Sequence, residues 1–532
     1  MSSTLELLLV AVIFLSALGN AARILVFSPT ISRSHMISNG RIADELAKAG
    51  HNVPEFRPVG MSIISATVAT VYRVGGFKEE QNDRLKSLSS DMFHKQTMWS
   101  HFRSFKAFPE YITRRCEEML LMEDVMDKLR SSDFEIFFGE QLNLCGSALS
   151  HVLGIKTHLW VSSCPIMDHM AHVLKIPSPL SYVPAFSIHT MSDKPTYVER
   201  ASNIINSFYN VFLFRYASKL TNDLYRRHFG QDFPDVDDIV RESPLIFVTS
   251  DEFLDFPRPI FHNTVYIGGL GIRSDTESIP ESLQQEMNKG ERGVIYFSFG
   301  TNLKTNYLPE AFVKNLFAAF AEFTDYRVIF KHETDDEIAV SLAKSSTNVY
   351  LTKWVPQSSL LNSPLVKVFI SHGGYNSLLE TAIAGVPVIT FSFFGDQNRN
   401  GRIAERNGWG IFVEKSDMLD SAEPLVAALS KILNDARYKD NVLRTRYLIL
   451  SKPYSAAERL VKYTEFVASN DGRLPELQHE GRHLSYVELY NLDIIVPAVM
   501  AAFLVLYSAF RILMYACKRI IVLVGSRKAK TE

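Results

Sequence analysis

The residues with the most chemical content lie between Trp354 and Gln397. They are Trp354 and Gln357, then the run from Ser371 through His372, Gly373, Gly374 and Asn376 to Ser377, then Glu380, and finally Asp396 and Gln397. A short apolar run ends at His372, two glycines turn the chain, and Asn376 and Ser377 open a helix. A helix N-terminus presents unpaired N–H groups and the positive end of a dipole, so this turn is an anion site that suits a diphosphate without a metal. His372 adds a donor there. Glu380 falls one turn further along the Asn376 face, where a carboxylate can accept a ribose hydroxyl. Trp354 offers a face for stacking a base, and Gln357 a donor and an acceptor that match the edge of uracil. Asp396 and Gln397 end the next strand, where they can hold sugar hydroxyls. Singly, each has an ordinary reading: a core tryptophan, a turn, a helix cap. Their order and spacing carry the signal.

The surrounding pattern supplies the elements that such a site needs. Short apolar runs at Ile24–Phe27, Phe134–Gly139 and Thr157–Ser162 alternate with helical patterns at Met36–Ala49 and Asn143–Leu153. The second half repeats this, with strands expected at Val294–Phe299, Arg327–Lys331, Val349–Thr352, Lys367–Ser371 and Val386–Phe391. Helices are expected at Pro309–Phe323, Tyr375–Ala384 and Asn398–Asn407. Strand–helix alternation implies parallel sheets covered on both faces. The class is therefore α/β, with two doubly wound, Rossmann-like halves facing each other, and ligands at the carboxyl ends of the strands. The boundary falls in the polar stretch Gly271 to Glu291.

The two ends point to a membrane. Leu7 to Leu18 is a short apolar run followed by small residues, as in a signal peptide, although Glu6 precedes it and no Lys or Arg does. Leu492 to Cys517 is almost wholly apolar and, at about 39 Å as a helix, long enough to cross a bilayer. Arg511 lies toward its exit, where it can snorkel. Lys518, Arg519, Arg527, Lys528 and Lys530 follow, which places the tail in the cytosol and the large N-terminal part in the lumen. Lys528 and Lys530 resemble a dilysine signal for retrieval to the endoplasmic reticulum. The expected division is a signal peptide over 1–22, two domains over 23–275 and 276–470, a juxtamembrane segment over 471–491, the transmembrane helix over 492–517, and a basic tail over 518–532.

The 532 residues are too many for a single core, and a net charge of -2 implies no broad nucleic-acid surface. Among the four cysteines (Cys116, Cys145, Cys164, Cys517) no pair has metal-ligand spacing, and the three expected in the lumen are too few for a disulfide framework. Asp235 and Asp237 match the Asp-x-Asp of metal-dependent transferases, but they lie in an acidic run and read as a solvated loop. Met92 to Tyr111 is rich in aromatics, and fits a core helix better than one touching the membrane or lining a pocket.

The Trp354–Gln397 segment is similar to the signature of the UDP-glycosyltransferase family, and the architecture resembles the animal, membrane-bound UDP-glucuronosyltransferase type. The likeness extends to Ser181–Pro184, Ser192–Arg200, Tyr266–Gly269, Phe297–Thr301 and the C-terminal anchor. It implies a GT-B fold with an N-terminal acceptor-binding domain and a C-terminal domain for the UDP-sugar. Trp354 and Gln357 would then hold uracil and Glu380 the ribose. His372, Gly374, Asn376, Ser377 and Thr301 would line the phosphates, with Asp396 and Gln397 at the sugar. Ser392 departs from the usual proline.

The resemblance also places the family's catalytic histidine at His35, where the first strand passes into the first helix. Imidazole suits removal of an acceptor proton near neutral pH, with a carboxylate to orient it. Glu140 stands where the family has that carboxylate as aspartate, one methylene longer. The expected reaction is metal-independent, inverting transfer of glucose or glucuronic acid from a UDP-sugar to a small lipophilic acceptor, with no cofactor besides the co-substrate. The alternative, motivated by Glu140, is a UDP-sugar-binding protein without activity, a partner subunit of an active homologue. Homo- or hetero-oligomers fit either reading.

Overall fold

The computed structural model describes residues 21–29, 33–58, 68–74, 93, 98–186, 191–272, 277–300, 303, 305–332 and 336–528. The expected signal peptide and the Lys530 end of the tail lie outside the described residues.

The first seven strands are β1 (Ile24–Phe27), β2 (Pro54–Pro58), β3 (Thr70–Val74), β4 (Ile136–Glu140), β5 (Thr157–Ser162), β6 (Ile246–Val248) and β7 (Thr264–Tyr266). They form one parallel sheet in the order β3-β2-β1-β4-β5-β6-β7. A second parallel sheet contains β8 (Gly293–Ser298), β9 (Tyr326–Lys331), β10 (Val349–Thr352), β11 (Val366–Ser371), β12 (Val388–Thr390) and β13 (Gly410–Phe412). Its order is β10-β9-β8-β11-β12-β13. β1, β4, β5 and β8 are buried at every residue. Sheets covered on both faces need such near-continuous apolar strands. In each sheet the order reverses once, between β1 and β4 and between β8 and β11. The crevice at such a switch point is where α/β sheets bind ligands.

Expected and observed elements agree to within a few residues, and the differences have local causes. β2 was not expected, because its prolines and buried Glu55 and Arg57 do not read as a strand. Those two charges pair with each other at 2.6 Å. β6, β7 and β13 have three residues each, too short to show a periodicity.

Four apolar clusters cover the two faces of the two sheets. The last helix of the body, Ala456–Ala468, is capped by the reciprocal Ser455–Glu458 box and returns to the first sheet. There Leu460 and Val467 join the core that holds Ile42, Leu46 and Val161. Phe93, from the aromatic-rich stretch, packs against Phe312 and Phe393 beside the second sheet. The helix Met98–Leu120 that follows buries Cys116, Met119 and Leu120 and lies against the helix Tyr197–Phe229.

Cys116 and Cys145 form a disulfide, so the few cysteines still supply one bridge, and it ties this helix to Leu144–Val152. Asp235 and Asp237 do not form a solvated loop. They open the helix Val236–Arg241, where Asp235 accepts from Asn222 and Arg226, and Asp237 from Ser218. No group of side chains suited to a metal occurs among the described residues.

From Gln478 the chain forms a separate unit. Its helix Leu492–Lys528 contains one stretch, Leu492–Leu523, long and apolar enough to cross a membrane, and runs past the expected end at Cys517. Arg511 and Arg519 each donate to a tyrosine hydroxyl one turn earlier, at 3.0 Å.

Candidate active site

At the switch point of the first sheet, His35 lies in the first turn of the helix Arg33–Lys48, after β1, and Glu140 ends the neighbouring β4. Strand pairing therefore brings together two residues more than a hundred positions apart. His35 Nδ1 is 3.3 Å from Glu140 Oε1. The other carboxylate oxygen accepts the backbone N–H of Leu142 at 2.8 Å, which fixes the side chain's direction. Glu140 is fully buried, whereas His35 keeps 16% of its side chain accessible. Burial alone would lower the imidazole's pKa, but the adjacent Glu140 carboxylate, with the charge of Asp396, outweighs it and holds His35 above its usual value.

Asp396 belongs to the second half, and its charge acts on His35. Burial raises the Asp396 carboxyl's own pKa against the pull of Asn400, which donates to it at 2.7 Å, and of His35.

At the second switch point, β11 ends at Ser371 and the helix Tyr375–Ala384 begins. Gly373 has φ +79°, a conformation that favours glycine. Gly374 is required for another reason: a Cβ there would lie 2.4 Å from His372 Nε2. Burial, then the Lys331 ammonium, push the His372 pKa down to about 4, so its ring is neutral and donates through only one nitrogen. Lys331, at the end of β9, donates to the Gly300 carbonyl at 2.7 Å beside this ring. Sequence reasoning missed it, because a lysine at a strand end looks like any solvated lysine. Thr301 lies outside the described residues.

Gln357, Ser377 and Glu380 meet. The Gln357 amide nitrogen donates to Glu380 at 2.8 Å and to Ser377 at 3.4 Å, while its oxygen accepts from the Tyr296 hydroxyl at 3.1 Å. Both ends of Gln357 thus brace the pocket wall, a role its spacing did not suggest. Asn376 lies in the first turn of the helix, half-buried. Trp354 is 56% exposed, unlike a core tryptophan such as Trp409, and its ring is open to a stacking partner. Gln397 is buried, with its amide oxygen accepting the N–H groups of Phe393 and Phe394. Ser392, in place of the usual proline, is buried, and its carbonyl accepts from Lys415 at 2.8 Å.

Two parallel sheets with one switch point each, a helix N-terminus at one and a histidine–carboxylate pair at the other, define a glycosyltransferase of the GT-B fold. Comparison with known proteins is in accord. Residues 22–528 match the family described as UDP-glucoronosyl and UDP-glucosyl transferase, and the chain belongs to that family. Among its relatives, ugt-48 of Caenorhabditis elegans, by name a UDP-glucuronosyltransferase, is 40% identical over 90% of this chain and 91% of that one. UDP-glucuronosyltransferase 3A2 of Homo sapiens is 28% identical over 90% of each chain. A UDP-glucose:anthocyanidin 3-O-glucosyltransferase solved with UDP shares the fold, with a TM-score of 0.55 at 15% identity over 85% of this chain and all of that one. The glycotransferase of kitacinnamycin does so with a TM-score of 0.56 at 16% identity, over 85% of this chain and 99% of that one.

Proposed function

We propose that this glycosyltransferase moves a hexose or hexuronic acid from a UDP-sugar to the hydroxyl of a small lipophilic acceptor, with inversion. The observation that carries the reading is the 3.3 Å contact between His35 Nδ1 and Glu140 Oε1. With Nδ1 turned to the carboxylate, Nε2 is the nitrogen that takes the acceptor's proton. The acceptor oxygen then attacks the anomeric carbon, and the bond from that carbon to the β-phosphate oxygen breaks with its electron pair leaving on UDP. Attack from the face opposite the leaving group inverts the configuration. Glu140 stabilises the imidazolium that forms. The N-terminus of Tyr375–Ala384, neutral His372 and nearby Lys331 meet the charge that develops on the diphosphate, which supports a metal-independent reaction. Trp354 stacks on uracil, Glu380 takes the ribose, and Asp396 and Gln397 take the sugar.

The contact between Glu140 and His35 favours this reading over the binding-only alternative. The apolar span, the basic residues after it and the Cys116–Cys145 bridge support a type I protein of the endoplasmic reticulum with its body in the oxidising lumen.

The test is UDP release by membranes carrying the protein, with UDP-glucose and UDP-glucuronic acid offered against a panel of phenols. Acceptor-dependent release with either donor is expected. A protein that binds UDP yet releases none with either donor would return the reading to binding alone. In the same preparation, Trp354→Ala is expected to weaken UDP binding by about 1–3 kcal/mol, the worth of one stacked base, as read by calorimetry. Unchanged affinity would remove Trp354 from the site.

A further inference from the structure

Two residues beyond Gln397, the helix Gln397–Arg406 carries a charge that the proposed reaction does not use. Arg399 is 1% exposed. One guanidinium nitrogen donates to the Pro184 carbonyl at 2.8 Å, and the other terminal nitrogen meets Asp255 Oδ1 at 2.5 Å. The cation lies 4.9 Å from the ring centre of Phe256 and 5.5 Å from that of Phe186. All four partners belong to the first half of the chain, whereas Arg399 follows β12 of the second.

The first-half side of this contact is itself fixed. Asp255 accepts the N–H of Phe256 at 2.7 Å, and Phe186 donates its N–H to half-buried Asp168 at 2.9 Å. Arg258 completes the cluster, donating to the Ile166 carbonyl at 3.2 Å. Asp168 and Arg258 are half-buried, and the fully buried ion pair is Arg399 with Asp255, of which Arg399 is the member supplied from the other half. Burying a charge is tolerated where it is paired and fixed, and removing one partner leaves the other uncompensated. The two halves therefore have a strongly preferred register at this point.

We infer that Arg399 is a positioning residue for sugar transfer: through Asp255 and the Pro184 carbonyl it sets the placement of Asp396 and Gln397 relative to His35. The inference rests on the reading above, in which Asp396 and Gln397 hold the sugar and His35 takes the proton. Asp396 stands three residues before Arg399 in the same turn of chain, so a shift of the arginine moves the sugar site against the base. Arg399 is correspondingly held in the interface between the halves and withheld from a donor carboxylate. Arg402 is held as well, by Glu405 at 2.6 Å and over the Phe412 ring.

The experiment uses the full chain in membranes, with Arg399→Lys and Asp255→Asn, both close in volume to the originals. Turnover is expressed per UDP-binding site, so that unfolded protein does not count. Displacing reacting groups by about 1 Å costs on the order of 100-fold, so each variant is expected to lose about 30–100-fold in turnover per site while UDP affinity stays within about twofold. The double variant is expected to be no worse than the more damaged single one, because both remove one contact. Near-normal turnover per site in either variant, a loss confined to the number of sites, or additive losses would each overturn the inference. Wild-type protein that binds UDP but turns over neither UDP-glucose nor UDP-glucuronic acid would sink the underlying reading, and the inference with it.

Discussion

Replacing His35 with alanine is expected to lower acceptor-dependent UDP release by a factor of about 10²–10⁴ while leaving UDP affinity unchanged. The basis is the division of labour between the two halves. His35 and Glu140 belong to the half built on the first sheet, whereas the residues assigned to UDP belong to the half built on the second. Alanine removes the base and leaves Glu140 as a buried carboxylate without its imidazole partner, a cost to stability as well as to rate. Rates are therefore to be normalised to sites counted by UDP binding. Release that survives the substitution at more than a tenth of the wild-type rate would take the base away from His35.

Glu140→Gln is the second large effect, and it separates charge from shape. Below its pKa His35 is protonated and cannot act as base, so activity rises as pH passes upward through that raised value. With glutamine at 140, the effect of burial on His35 is no longer outweighed by the Glu140 charge, and the pKa falls. The acid limb of the kcat/KM profile is thus expected to move to lower pH. The plateau is expected to fall by about 10²–10⁴, because the imidazolium formed during transfer has lost its counter-ion. Glu140→Asp restores the charge, and is expected to return the limb toward the wild-type position. An acid limb that stays in place in Glu140→Gln would mean that another group sets it.

Linkage gives the same pair a signature in stability. The folded state holds the His35 proton more tightly than the unfolded chain, so the contribution is full below the unfolded value near 6.5 and fades as pH rises through the raised folded value. Glu140→Gln is expected to abolish that acid-side gain.

The placement of the residues proposed for UDP was legible because they are close in sequence and each position follows from local rules. The glycines mark a turn, Asn376 and Ser377 a helix start, and Glu380 a helix face. The pairing of His35 with Glu140 was less legible. The resemblance located His35 and Glu140, but only the parallel pairing of β1 with β4 shows that a glutamate there reaches the ring. Asp235 and Asp237 were misplaced in a loop because their partners Ser218, Asn222 and Arg226 lie on a preceding helix whose contact with them is tertiary. Lys331 was overlooked for a related reason, since a cation's role depends on what surrounds it.

By itself, the sequence determined what local chemistry determines: two runs of alternating strand and helix, a glycine turn into a helix start, and one apolar segment long enough to cross a bilayer. The tertiary structure decided the rest. It let the charge of Asp396 act on His35, committed Gln357 to Tyr296 and Glu380, and buried Arg399 against Asp255. Helix and turn preferences act within a few residues, whereas burial, ion pairing and pKa depend on groups that meet only when the two sheets pack.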